Sequence, residues 1–276
     1  MLSAFLNGEN MQDKGYNYLI GEVKELDSTF NIDKRIDPDT CGCKELYDDF
    51  IEAYFYDEKC NSKHGIESVT NIKQQFGNKP AFYTIVLNDS DYLMSTDYIG
   101  PSVYWARYKK ISDEVIIRFL SVCRTIGGHM AWPRGRDIIV KINGARAGEK
   151  GVYDRIDWTL ALIKIYYETL NKGKEDFVMN ALKIDAENKE KDNTAIRRFE
   201  RMYEAFCCSR TWFELFDSFP GFCRQFKLTG KNGFVNEDFK VNNMAPWYPF
   251  LPVNYGDYIN KICDAVKVRN DKVYNP

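Results

Sequence analysis

Residues 154–170 read DRIDWTLALIKIYYETL. Ile156, Leu160, Ile163 and Tyr167 recur at the three-to-four-residue spacing that lines up apolar side chains on one face of an α-helix. Asp154 stands at the expected N-cap, and Gly173 lies where the pattern ends. A second helical run, DEVIIRFLSVCRTI over 113–126, precedes it. Ser112 is its expected N-cap, Asp113 and Glu114 complement the dipole of its first turn, and Gly127 is a plausible C-cap. This run is apolar over most of its circumference, so both helices are expected to pack together in the core.

Between the two helices, DIIVKI (137–142) reads as a short buried strand and NGARAGEKG (143–151) as a loop. After them, the charged run DAENKEKDN (185–193) reads as solvated surface, and a long helix is expected over Thr194–Phe216. The proline- and aromatic-rich segment NNMAPWYPFLPVNY (242–255) cannot be a central strand. It is expected to lie as an extended strap over the body, followed by a last helix.

The first half is more mixed. Strands are expected around Tyr18–Val23, over AFYTIVL (81–87) and within DYLMSTDYIGPSVYW (91–105), where Gly100 and Pro101 mark a turn; a helix is expected over Cys43–Tyr56. The predicted fold is therefore α+β, with a small sheet in a mixed N-terminal half and a mainly helical C-terminal half. The expected organisation is one domain over 1–276 with two tightly packed subregions, about 17–110 and 111–276.

A chain of 276 residues that is 44% hydrophobic and 15% aromatic can bury a large core. Its net charge of −2, without a basic block, argues against a surface built mainly for duplex nucleic acid, although a local basic pocket remains open. The start MLSAFLNGENMQDKG lacks the pattern of a signal peptide, and no apolar stretch approaches membrane-span length, so no membrane contact and a cytoplasmic location are expected. In that compartment disulfides are rare, and Cys123, Cys207, Cys208, Cys223 and Cys263, set among apolar residues, are expected to be reduced core thiols. Cys41, Cys43, Cys60 and His64 offer zinc-type ligands, but their spacing departs from the usual one; no metal and no cofactor are expected.

The ordered segments LMSTDYIG, CRTIGGHMAWP, INGARAGEKGVYDRIDWTL and LFDSFPGF resemble an uncharacterised bacterial family of unknown function. Its members carry a Ser-x-Asp segment, R-T-I-G-G, I-N-x-A-R-G and D-R-x-D-x-T-L. The resemblance runs from about Thr29 onward and is most specific over Arg124–Leu160. It implies no activity. The chain departs from the pattern at Ala147, where glycine is usual, at Trp158, where a small apolar residue is usual, and in the charged run near Asp185–Asn193.

Arg124, Arg134, Arg136, Arg146 and Arg155 crowd this block, and guanidinium forks match phosphate or carboxylate oxygens bidentately. Gly127, Gly128, Gly144 and Gly148 would let backbone N–H groups approach such a ligand. The structural alternative pairs Arg124 and Arg155 with Asp97, Asp154 or Asp157 to lock the halves together. His129 is the candidate general base, with Asp97 and Asp157 as alternative acid or base groups; Asn143 and Ser95 would orient a ligand or close turns. Trp105 beside Arg107 and Trp132 beside Arg134 are candidates to stack bases of a single strand. Phosphate-loop, nucleophile-elbow, zinc-protease and dinucleotide fingerprints are absent.

Two functions stay open. One is an enzyme or sensor acting on a phosphate-bearing ligand, a nucleotide or RNA, at a cleft lined by Arg124, Arg134, Asn143, Arg146, His129, Asp157 and Asp97. The other is a non-catalytic protein-binding module, such as a component or inhibitor in bacterial or phage conflict systems, in which the same block is a structural hub. Convergence on an open cleft would favour the first, and burial in mutual bonds the second.

Overall fold

The computed structural model describes residues 44–55, 69–74, 82–87, 92–98, 111–112, 114–115, 118–119, 122, 125–133, 138–184 and 193–274. The fold is α+β. Helix α1 (Lys44–Phe55) is followed by strands β1 (Val69–Gln74), β2 (Phe82–Leu87) and β3 (Tyr92–Tyr98), and then by β4 (His129–Pro133). The four make one antiparallel sheet in the order β1-β2-β3-β4. Helix α1 and strands β2 and β3 fall where expected; the Tyr18–Val23 strand lies outside the described residues.

Strand β4 was not expected, because glycines and the Trp-Pro pair make 123–135 look like a turn. Among the described residues of this stretch Ile126–Gly128 makes one 3-10 turn, after which His129–Pro133 pairs along β3 with every residue buried. Pro133, at the last position and on an outer strand, is compatible with pairing because the sheet asks no further donor of it.

The second half is mainly helical: α2 (Ile142–Arg146), α3 (Ile156–Thr169), α4 (Lys174–Ala181), α5 (Asn193–Cys208), α6 (Arg210–Glu214), α7 (Phe219–Gln225) and α8 (Tyr255–Tyr274). Glu114, Val115, Arg118, Phe119 and Val122 are helical, as the periodicity of 113–126 predicts, and Phe119 and Val122 join the same core as α3. Helix α3 is buried on nearly every side, with Ile156, Leu160 and Ile163 inaccessible, whereas Tyr167 is half-buried and donates its hydroxyl to the Phe213 carbonyl at 2.7 Å. An all-round apolar helix is what a central position selects.

Several local expectations are corrected. Residues 137–142 form no strand among those described: the chain bends at 139–140, Ile139 is 88% exposed, and Ile142 opens α2. A short apolar run defines a strand only if a pairing edge reaches it. Asp154 does not cap α3; it sits at φ 56 and Arg155 takes the N-cap position. The left-handed region is one that Asp tolerates better than most residues. The helix expected over Thr194–Phe216 breaks at Ser209, where a turn redirects α6 so that Trp212 and Phe213 reach the core. Cys207 and Cys208 are exposed, not core thiols; they end α5 on its outer side, while Cys223 and Cys263 are buried. The strap does run irregularly from Asn242 to Asn254 before α8.

Candidate functional site

The R-T-I-G-G turn is a closed hydrogen-bonded device. Thr125 donates its hydroxyl to the Val122 carbonyl at 2.7 Å and accepts from the Gly128 N–H at 3.2 Å. From α8, Asn270 accepts from the Gly127 N–H at 2.6 Å and donates to Thr125 Oγ1 at 2.8 Å. Arg269 donates to the Phe226 carbonyl at 2.6 Å, the Gly127 carbonyl at 2.9 Å and the His129 carbonyl, and its guanidinium lies 4.5 Å over the Tyr54 ring. His129 is 1% exposed; its Nδ1 stands 2.7 Å from the Thr125 carbonyl, an acceptor, so Nδ1 carries the proton.

The I-N-G-A-R segment meets this turn through β4. Arg146, 2% exposed, stacks 5.1 Å over the Trp132 ring. It donates Nε to Thr159 Oγ1 at 3.0 Å, Nη1 to Asn143 Oδ1 at 3.1 Å and Nη2 to the Asp154 carbonyl at 3.3 Å. Trp132 is thereby buried beneath the Arg146 guanidinium. Nine residues further on, Arg155 is fully buried and grips Asp157 bidentately, Nε to Oδ1 at 3.0 Å and Nη2 to Oδ2 at 2.5 Å. Its remaining donors reach the strap carbonyls of Ala245 at 2.9 Å and Pro246 at 2.8 Å. Asp157 accepts in turn from the Trp158 N–H at 3.0 Å and the Met244 N–H at 3.1 Å. Ion pair and strap therefore lock together with the polar atoms used inside the fold. Burial and the neighbouring Asp157 charge push the Tyr258 hydroxyl well above its ordinary range; that hydroxyl accepts from the Ile156 N–H at 3.2 Å.

The structure thus brings His129, Asn143, Arg146, Arg155 and Asp157 into neighbouring layers, but inside the protein. Asn143 is half-buried and the charged members are inaccessible. Asp97 lies on β3 opposite Met130, and Ser95 opposite Trp132. Arg124, Arg134, Arg136, Trp105 and Arg107 lie outside the described residues, as do Cys41, Cys43, Cys60 and His64; among those described, no cluster of three or more His, Cys, Asp or Glu side chains is placed to hold a metal.

Open surface does exist beside the block. Residues 139–144 and α5 enclose a shallow groove of about 710 Å³. Ile139 and Lys141 stand on one wall, and Arg197, Glu200, Arg201 and Glu204 on the other. Arg201 bridges the walls by donating to the Gly144 carbonyl at 2.6 Å. Sequence reading missed Arg269, Asn270 and Arg198, each buried on a long helix. A charged residue on the apolar face of α5 or α8 was the available signal, since such positions are seldom filled without a task.

The fold and site define an α+β protein with a buried polar hub, and no described helix is long and apolar enough to cross a membrane. The chain belongs to a family of unknown function (DUF6994), whose pattern matches residues 25–183. That span holds the sheet, the R-T-I-G-G turn and α3, and it ends before α5, the strap and α8. No curated protein and no solved structure matches the chain.

Proposed function

We propose that this protein is a non-catalytic binding module, with the groove between residues 139–144 and α5 as the docking face for a protein segment. The observation that carries this reading is the burial of the Arg146, Arg155 and Asp157 side chains in mutual bonds, which leaves them no face toward a substrate. An acid, base or phosphate clamp must touch what it acts on. The accessible surface that this hub supports is the groove, where Ile139 offers an exposed apolar knob among charges of both signs. An exposed apolar residue within a polar rim suits a protein partner. Lys141, Arg197 and Arg201 would also attract a phosphate-bearing ligand, but Glu200 and Glu204 in the same wall repel a polyanion.

Placing a photo-crosslinking residue at position 139, in cells that make the protein, tests the reading. The expected product is one protein joined through position 139 and lost on Arg201→Glu, with none joined through the exposed Met179 position on α4. A nucleotide or RNA captured at 139 would replace this reading by the phosphate one. Absence of any product, or equal capture at both positions, would refute it.

A further inference from the structure

We propose that a separate cavity at the N-terminal end of α5 binds a small organic carboxylate with a flat apolar body. The cavity holds about 190 Å³ and is walled by the first turn of α5, by Arg198 and by aromatic residues of the 151–154 turn and the strap. Among the described residues its walls contain no acidic side chain.

Arg198 is 8% exposed, and two rings sandwich its guanidinium, Tyr153 at 5.0 Å and Phe250 at 4.8 Å. One donor goes to the Gly151 carbonyl, while the buried Nε–H has no acceptor. Among the described residues no carboxylate pairs with it. Of the other buried arginines, Arg146 has Thr159, Asn143 and the Asp154 carbonyl, Arg155 has Asp157 and the strap carbonyls, and Arg269 has the Phe226, Gly127 and His129 carbonyls with its Nη2 unpartnered. None of these three lines either of the two described cavities. A buried cation ordinarily requires an anionic or hydrogen-bonding partner, and the cavity beside Arg198 is where one can be supplied.

The helix adds a second attraction. Thr194 and Ala195, in the first turn of α5, line the same cavity, and Arg198 follows Thr194 by one turn on the same face. A helix begins with N–H groups that have no intrahelical acceptor and with the positive end of its dipole, so helix end and guanidinium favour one anion between them.

The walls select its body. Tyr248 and Phe250 meet at 4.8 Å, and Tyr153, Ala195 and Leu251 complete an apolar enclosure with room for a single ring but not for a nucleotide. A bare phosphate has no apolar part to match the apolar lining of the cavity. A ring carboxylate satisfies the guanidinium fork with one end and the aromatic walls with the other. This inference is independent of the docking groove, which lies on other residues of α5.

Trp158 reports on the cavity, since its ring contacts Tyr248 at 5.5 Å and Phe250 at 5.0 Å. The test titrates benzoate, phenylacetate and 4-hydroxybenzoate into the full chain, following tryptophan fluorescence and thermal melting, with benzyl alcohol and inorganic phosphate in parallel. At least one carboxylate should bind saturably and raise Tm, and benzyl alcohol should bind at least about 10-fold more weakly. Arg198→Lys, which keeps the charge but not the fork, should weaken binding about 10-fold. Arg198→Met should abolish it. If Arg198→Met does not fold, Leu251→Trp, which narrows the cavity from its half-buried rim, should do the same. No saturable binding by any ring carboxylate, unchanged affinity in these variants, or preference for phosphate over every carboxylate would overturn the proposal.

Discussion

Arg155 and Asp157, two residues apart and both fully buried, face each other at the start of α3 with Arg155 Nη2 2.5 Å from Asp157 Oδ2. Neither bonds only the other: the guanidinium takes strap carbonyls and the carboxylate takes the Met244 N–H, so the pair staples residues 244–250 onto α3. Trp158, next in sequence, packs against Trp247, Tyr248 and Phe250 and donates its indole N–H to the Trp247 carbonyl at 2.8 Å. The strap that Trp158 receives lies beyond the residues matched by the family pattern.

Removing one member of such a pair leaves the other charged and unpaired in the interior. Arg155→Met and Asp157→Leu should each destabilise the protein by about 3–5 kcal/mol, and the double variant by less than the sum. Chemical denaturation measures the loss. Hydrogen exchange should quicken first over 244–250; protection there that matches wild type would contradict the staple.

Arg146 is bound at all three of its donor positions and by stacking on Trp132. An ammonium cannot occupy those directions together, so Arg146→Lys should cost about 1–3 kcal/mol even though charge is kept. Arg146→Ala should cost about 3 kcal/mol, adding lost packing to unsatisfied acceptors. Melts of both variants should be indifferent to added nucleotide; a nucleotide shift that disappears with Arg146 would return the residue to a ligand.

Two glycines of this block should behave oppositely. A Cβ on Gly127 would lie 2.4 Å from Asn270 Oδ1 and 2.8 Å from the Asn270 backbone nitrogen, so Gly127→Ala should cost about 1–3 kcal/mol by pushing α8 from the turn. A Cβ on Gly144 meets nothing within 4 Å, and this exposed helical position should gain about 0.5–1 kcal/mol as alanine. Urea midpoints of the two variants check both signs.

Burial pushes the Cys263 thiol up to about 12 and moves Cys223 upward as well. The unfolded thiols titrate near about 8.5. A folded pKa raised above the unfolded one contributes stability in full below the unfolded value and loses it as pH rises toward the folded one. Stability should therefore fall between about pH 8.5 and 12, with Tyr167 and Tyr258, also raised by burial, adding to the loss at its upper end. At pH 8, peptide mapping after maleimide treatment should find Cys207 and Cys208 labelled and Cys223 and Cys263 protected.

Helical spacing placed α3, because a side-chain pattern at 3.6 residues per turn records which face will be buried, and α1 and the last helix also lie where helices were expected. Apolar, aromatic-rich runs beside Pro80 and the Gly100–Pro101 turn placed β2 and β3, and proline density placed the strap. The α+β division was legible for the same reason. What the sequence could not state was which polar groups would meet across the chain. Asn270 closing the Gly127 turn from 143 residues away, and Arg155 reaching strap carbonyls some 90 residues on, depend on long-range packing that leaves no local periodicity. The turn at 125–128 could be read from its glycines, but β4 could not, since His129–Pro133 becomes a strand through the edge that β3 presents to it. Likewise Arg146 and Arg198 are equally arginine in the sequence. Tertiary structure surrounds the first with acceptors and leaves the second beside an aromatic cavity, and that difference in burial and partners is what separates a hub from a site.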